Sequence, residues 1–84
     1  MTRFWPSGNL ITVITNENGS PRHFDWQGQV HLVEMVAKQW RFDMGWWRVR
    51  IWRDYFKLTT HSGLLVVIFR DMVTEQWYLQ RLYD

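Results

Sequence analysis

The run Trp46-Trp47-Arg48-Val49-Arg50-Ile51-Trp52-Arg53-Asp54-Tyr55-Phe56-Lys57-Leu58 interleaves cationic groups with aromatic rings. A single nucleic-acid strand calls for both kinds of side chain: cations follow the phosphates while a ring stacks on a base. Residues 38–57 carry Lys38, Arg41, Arg48, Arg50, Arg53 and Lys57 against Asp43 and Asp54, a local net of +4 in a chain whose total is +2. In an extended segment, strict alternation sets Trp47, Val49 and Ile51 on one face and Phe56 and Leu58 on the other. A β-bulge at Trp52–Arg53 would reconcile the halves, because one extra residue flips the parity. The predicted core face then holds Trp47, Val49, Ile51, Phe56 and Leu58, and the outer face Arg48, Arg50, Arg53, Tyr55 and Lys57. Arg48, Arg50, Arg53 and Lys57 would meet phosphates or acidic partner residues, with Trp52 and Tyr55 as stacking platforms and Trp46 beside them. A solvated strand face, its arginines paired with acids or laid over Trp rings, fits the same residues. In this register Asp54 points inward and needs a partner, since a bare buried charge is costly.

Other chemistries find little support. His23, His31 and His61 are scattered, with no second ligand a few residues away, whereas zinc needs three or four converging groups. Ser7, Ser20 and Ser62 sit beside turn residues; in His61-Ser62-Gly63 adjacent side chains point apart, and no triad order suggests itself. Asp43 and Asp54 would pair as carboxylates only by tertiary accident. The five glycines occur singly, so there is no Gly-rich phosphate loop. The expectation is a binding protein, not an enzyme, with no metal and no cofactor.

Such a face needs a scaffold, and 84 residues allow one domain, 1–84. A core this short is marginal unless its residues are large, and the seven Trp, five Phe and three Tyr supply that bulk. Most Trp must therefore be core: Trp26, Trp40, Trp47 and Trp77 are assigned there, while Trp46 and Trp52 stay open between core and site. There is no Cys to staple the fold. The N-terminus lacks an apolar run and a cleavage site, and the longest apolar stretch, Leu64 to Phe69, is too short to span a bilayer as a helix. A cytoplasmic protein without a membrane partner is expected.

Turn signals recur at the spacing of a small sandwich or barrel. Leu10–Thr15 is rich in β-branched residues, and Asn18-Gly19 is a hairpin turn. Phe24 and Trp26 alternate onto one face, and Gly28 permits the next reversal. Val30–Phe42 reads either as a helical stripe or, better, as a strand broken by a bulge near Glu34–Met35. Asp43-Met44-Gly45 is expected to turn, Trp46–Thr60 to form a long β segment, and His61-Ser62-Gly63 to close a hairpin with Leu64–Arg70. That strand is apolar on both faces, as a central strand covered on two sides would be. After Asp71–Glu75, a last strand, Gln76–Tyr83, sets Trp77, Leu79 and Tyr83 on one parity. The predicted fold is all-β: a small, partly open barrel, SH3-like or similar, of five to seven short antiparallel strands.

Trp26-Gln27-Gly28, Trp40, Asp43, Trp46-Trp47, Phe56-Lys57-Leu58, Gly63-Leu64-Leu65-Val66 and the ending Tyr83-Asp84 together resemble a family of small bacterial domains of unassigned function. A similar module is appended to the C-terminal end of ImuB-type proteins, the Y-family-polymerase-like partners in mutagenic DNA repair. The resemblance runs from about Phe4 to Asp84, and the paired Trp and terminal Tyr-Asp are its more specific parts. It implies a bacterial protein linked to DNA repair or translesion synthesis, and it transfers no catalytic residue. The expected function is an accessory module that binds single-stranded nucleic acid or an acidic DNA-repair partner through the basic-aromatic face. The long two-part strand and scarcity of edge-protecting prolines suggest an alternative, a protein–protein or homodimerisation module acting through an exposed sheet edge.

Overall fold

Asn16 shapes the first hairpin: its Oδ1 accepts the backbone N–H groups of Asn18 and Ser20 at 2.9 and 3.0 Å. Gly19 takes φ of 81° there, and the chain passes from β1 (Arg3–Thr15) into β2 (Pro21–Trp26). Gln27 and Gly28, both left-handed at φ of 52° and 75°, make the next turn into β3 (Gln29–Trp46). Then follow β4 (Val49–Thr60), β5 (Leu65–Asp71) and β6 (Trp77–Tyr83). The computed structural model describes residues 2–83; Met1 and Asp84, the last residue of the Tyr83-Asp84 ending, lie outside the described residues.

The six strands of the described residues are all antiparallel, each pairs with the next, and β1 pairs back onto β6, so the sheet closes into a ring. The ring is thin in places. β2 and β3 share only four rungs, His23–Trp26 against Gln29–Leu32, and β1 loses register with β6 between Phe4 and Asn9. No helix among the described residues is long and apolar enough to cross a membrane.

Inside the ring Phe24, Phe56, Leu58, Val66, Ile68, Trp77, Leu79 and Leu82 form the core, with Trp5, Val13, Trp26, Val33 and Val36 packed against it. β5 is central, as its composition predicts: Val66 and Ile68 face inward, while Val67 and Phe69 are buried on the outer face.

β3 is a strand throughout, with two bulges. Val33 opposes Thr60 and Met35 opposes Thr59, so Glu34 is extra; Val36 opposes Leu58 and Lys38 opposes Lys57, so Ala37 is extra. The expected bulge near Glu34–Met35 is thus present and lets both Val33 and Val36 face the core, and a second follows it at Ala37.

Three expectations need correction. Asp43-Met44-Gly45 does not turn: it stays in β3, and the chain reverses at Trp47-Arg48 with Trp47 at φ of 59°. A turn at Gly45 would give up the rungs from Asp43–Trp52 to Trp46–Val49 and an Asp43–Arg50 ion pair. β4 has no bulge at Trp52–Arg53; its rungs with β3 are unbroken from Val49 to Leu58 apart from the irregularities on the β3 side. In β6, Gln80 is extra opposite Val67–Ile68, so Leu82 replaces Tyr83 on the inward face.

Candidate functional site

β3 and β4 outrun the barrel. The last rung between β4 and β5 is Arg53–Asp71, and β2 leaves β3 at Leu32. Beyond these points the hairpin stands as a two-stranded arm, and every residue from Arg41 to Arg50 is exposed. The molecule measures 42 × 32 × 23 Å along its principal axes.

Unbroken alternation in β4 decides which side chains share a face of the arm. Val49, Ile51, Arg53, Tyr55 and Lys57 point outward, opposite Trp46, Met44, Phe42, Trp40 and Lys38 of β3. Arg50, Trp52, Asp54, Phe56 and Leu58 point the other way, toward the barrel interior, opposite Gly45, Asp43, Arg41, Gln39 and Val36. The predicted outer stripe is therefore divided. Trp46, Arg53, Tyr55 and Lys57 stay together on the outer face, Arg50 and Trp52 move to the inner face, and Arg48 sits in the turn. Val49 and Trp47, expected in the core, are solvent-exposed, and Ile51 is half-buried. Sliding Trp47 into the core would have required the absent bulge.

The inner face of the arm is electrostatically closed. Asp54 accepts two hydrogen bonds from Arg41, at 2.7 Å from Nε and 3.3 Å from Nη2. That hydrogen bond and the carboxylate's charge hold the Arg41 pKa above its ordinary value. The inward Asp54 of the sequence reading thus finds its partner. Asp43 likewise accepts Arg50 Nη2 at 3.1 Å, and the Arg50 guanidinium lies 4.4 Å from the Trp52 ring centroid. With both carboxylates and both guanidiniums engaged, Arg50 and Trp52 resemble the solvated-face alternative more than an open binding surface.

The outer face is different. Trp40, Tyr55, Phe69 and Tyr78 occupy directly opposed positions on β3, β4, β5 and β6. Their ring centroids are 5.2, 5.2 and 5.1 Å apart in sequence along the row, within the range of favourable aromatic pairs. Arg53 lies 4.4 Å from the Phe69 centroid and donates from Nη1 to the Tyr55 hydroxyl at 3.1 Å. Lys38 lies over Trp40 at 5.4 Å and Lys57 over Tyr83 at 5.4 Å. None of these three cations is in an ion pair with a described carboxylate. Phe69 is only 1% exposed and cannot itself take a base. At the tip, in contrast, Trp46 is 81% and Trp47 89% exposed, with Phe42, Met44 and Val49 exposed behind them.

Sequence reasoning missed Trp47, Phe69, Tyr78 and Arg81 as parts of this surface. Arg81 joins it from β6, 4.7 Å from the Phe4 centroid and bonded to the Tyr83 hydroxyl at 3.2 Å. Phe69 and Tyr78 belong to rows that only the register reveals. Regular alternation through Val49–Leu58, taken at face value, keeps Arg53, Tyr55 and Lys57 outward and also sets Val49 and Ile51 outward and Arg50 inward, as they are.

A second polar cluster lies at the other end of the barrel. His31 Nδ1 is 3.1 Å from Ser62 Oγ, Ser62 Oγ is 2.8 Å from Thr60 Oγ1, and Thr60 Oγ1 accepts the Leu64 N–H at 3.0 Å. His31 is stacked on Phe24, at 5.4 Å between centroids. No described carboxylate bonds this imidazole, so the arrangement ties the β4–β5 turn to β3 without the third member of a triad. Among the described residues no group of three or more His, Asp or Glu converges as metal ligands would.

No family model matches the chain, and no curated protein or solved structure is significantly similar to it.

Proposed function

We propose that the domain is a non-catalytic module that binds single-stranded nucleic acid along the outer face of the β3–β4 arm. One observation carries this reading: two bare indoles, Trp46 and Trp47, crown an arm whose outer face also presents Lys38, Arg53 and Lys57. Base stacking on an aromatic ring is worth about 1–3 kcal/mol and tolerates any base. Arg48, next to Trp47 in the turn, and the three cations farther down would follow the phosphates. Because Tyr55 and Phe69 are stacked within the row, their part is to hold Arg53 in place, and the stacking platforms are Trp46, Trp47 and the outer end of Trp40. The ImuB-like resemblance makes DNA the strand to try first.

The test is a titration of an oligothymidylate of about 16 nucleotides, followed by tryptophan fluorescence. Four phosphate contacts, from Lys38, Arg48, Arg53 and Lys57, give a log–log salt slope of about −2.8, or roughly 50-fold weaker binding at 200 mM than at 50 mM salt. Trp46→Ala and Trp47→Ala should each weaken binding by roughly 5–150-fold while leaving the slope unchanged. Absence of quenching at low salt, or binding that both variants leave intact, refutes the proposal.

A further inference from the structure

Among the described residues, no strand pairs with the second edge of β3 along the arm. From Lys38 to Trp46 its backbone pairs with β4 on one side only, and β2 and β4 are its ladder partners among the described strands. Natural edges are blunted by bulges, prolines or inward charges. Both bulges of β3, Glu34 and Ala37, lie in its barrel half, the arm half contains neither a bulge nor a proline, and its two inward charges, Arg41 and Asp43, are each neutralised by a partner on β4. A straight edge of this kind is a template for another strand.

Its charges specify which strand. Two copies of β3 meeting antiparallel about a two-fold axis must pair even-numbered residues with even and odd with odd, so that outer face continues outer face. Only one such register sets a cation opposite an anion: with Phe42 on the axis, Arg41 of one copy faces Asp43 of the other, twice over. Centring on Arg41 opposes two guanidiniums, centring on Asp43 opposes two carboxylates, and centring on Trp40 sets Arg41 against Gln39. In the Phe42 register, the intramolecular pairs Asp54–Arg41 and Asp43–Arg50, at 2.7 and 3.1 Å, become the two ends of a row alternating in sign across four strands. On the outer face Phe42 meets its own copy, Trp40 meets Met44 and Lys38 meets Trp46. The exposed apolar side chains of the arm thereby acquire neighbours.

We infer that the arm's free edge is a self-association surface, and that the domain forms a two-fold dimer by β3–β3 pairing centred on Phe42. The continuous sheet so formed would present two outer faces side by side, although the pairing does not depend on any nucleic-acid ligand.

Because the chain has no Cys, single cysteines can map the register. Directly opposed residues have Cβ atoms about 4.5–5.5 Å apart. Phe42→Cys should therefore cross-link to itself with a short bismaleimide in near-quantitative yield. Trp40→Cys, displaced by four residues from its own copy or about 13 Å, should not, whereas a mixture of Trp40→Cys and Met44→Cys should. Light scattering of the unmodified protein should show mass rising from monomer to dimer with concentration. All three positions are at least partly exposed, so the variants should fold, which circular dichroism checks. A protein that stays monomeric throughout while Phe42→Cys stays uncross-linked overturns the inference. So does a dimer whose strongest self-cross-link falls at Trp40 or Trp46.

Discussion

Gly8→Ala is the substitution whose effect the packing predicts most sharply. Gly8 lies where β1 parts from β6 between Phe4 and Asn9, and its φ of 81° is a conformation that a side chain disfavours by about 1–2 kcal/mol. A Cβ there would stand 2.6 Å from Tyr78 Cβ and 2.9 and 3.0 Å from Phe69 Cζ and Cε1. Neither neighbour can yield cheaply. Tyr78 Cβ is fixed to the backbone of β6, and the buried Phe69 ring is held between Tyr55 and Tyr78. Overpacking of this kind costs about 1–3 kcal/mol, so Gly8→Ala should destabilise by about 2–5 kcal/mol in all. Gly19→Ala is the matched control: φ is again 81°, but nothing lies within 4 Å of the added methyl, leaving the backbone penalty alone. Urea unfolding followed by tryptophan fluorescence measures both. In a domain of this size 1 kcal/mol moves the melting temperature by about 4–8 °C, so the two variants should separate by at least about 4 °C. Equal destabilisation by the two substitutions would refute the claim that β1 presses on the Phe69–Tyr78 pair.

Thr60→Val keeps the volume of a buried side chain but removes the acceptor of the Leu64 N–H, and should cost about 1–3 kcal/mol in urea unfolding, while Thr60→Ser should restore most of it. Trp47→Gly relieves a bulky residue of its left-handed φ at a site where no packing is lost. It should raise stability by about 0.5–1 kcal/mol, measured by thermal melting, while lowering oligonucleotide affinity.

The sequence was most legible where one face is buried and the turn chemistry is strong. Asn18-Gly19, Gly28 and Gly63 mark real reversals, and Phe24, Trp26 and the doubly apolar β5 lie where their patterns predict. It misled at the arm, because an arm has no core. With little burial on either face, burial no longer fixes the parity, and hydrophobicity alone draws Trp47, Val49 and Ile51 inward. Asp43-Met44-Gly45 carries turn-like residues, whereas the actual turn, Trp47-Arg48, contains none of the usual ones. The bulge expected in β4 follows from that inversion. The division of the site follows from the same cause: once the parity is regular, Arg50 falls beside Asp43 and Trp52, and Arg53 falls over Phe69.

The extra residue at Ala37 separates two properties of the arm that are usually bound together. Val36 and Lys38 already alternate across the ladder because Ala37 is accommodated between them. Losing that single codon would close the ladder into regular pairing without turning any distal side chain over. What would change is heading: bulges bend a strand and tighten its twist, so the same hairpin would leave the barrel at another angle. Where the arm points and what it displays are thus encoded by different residues, and a one-residue deletion can steer it without rewriting its surface.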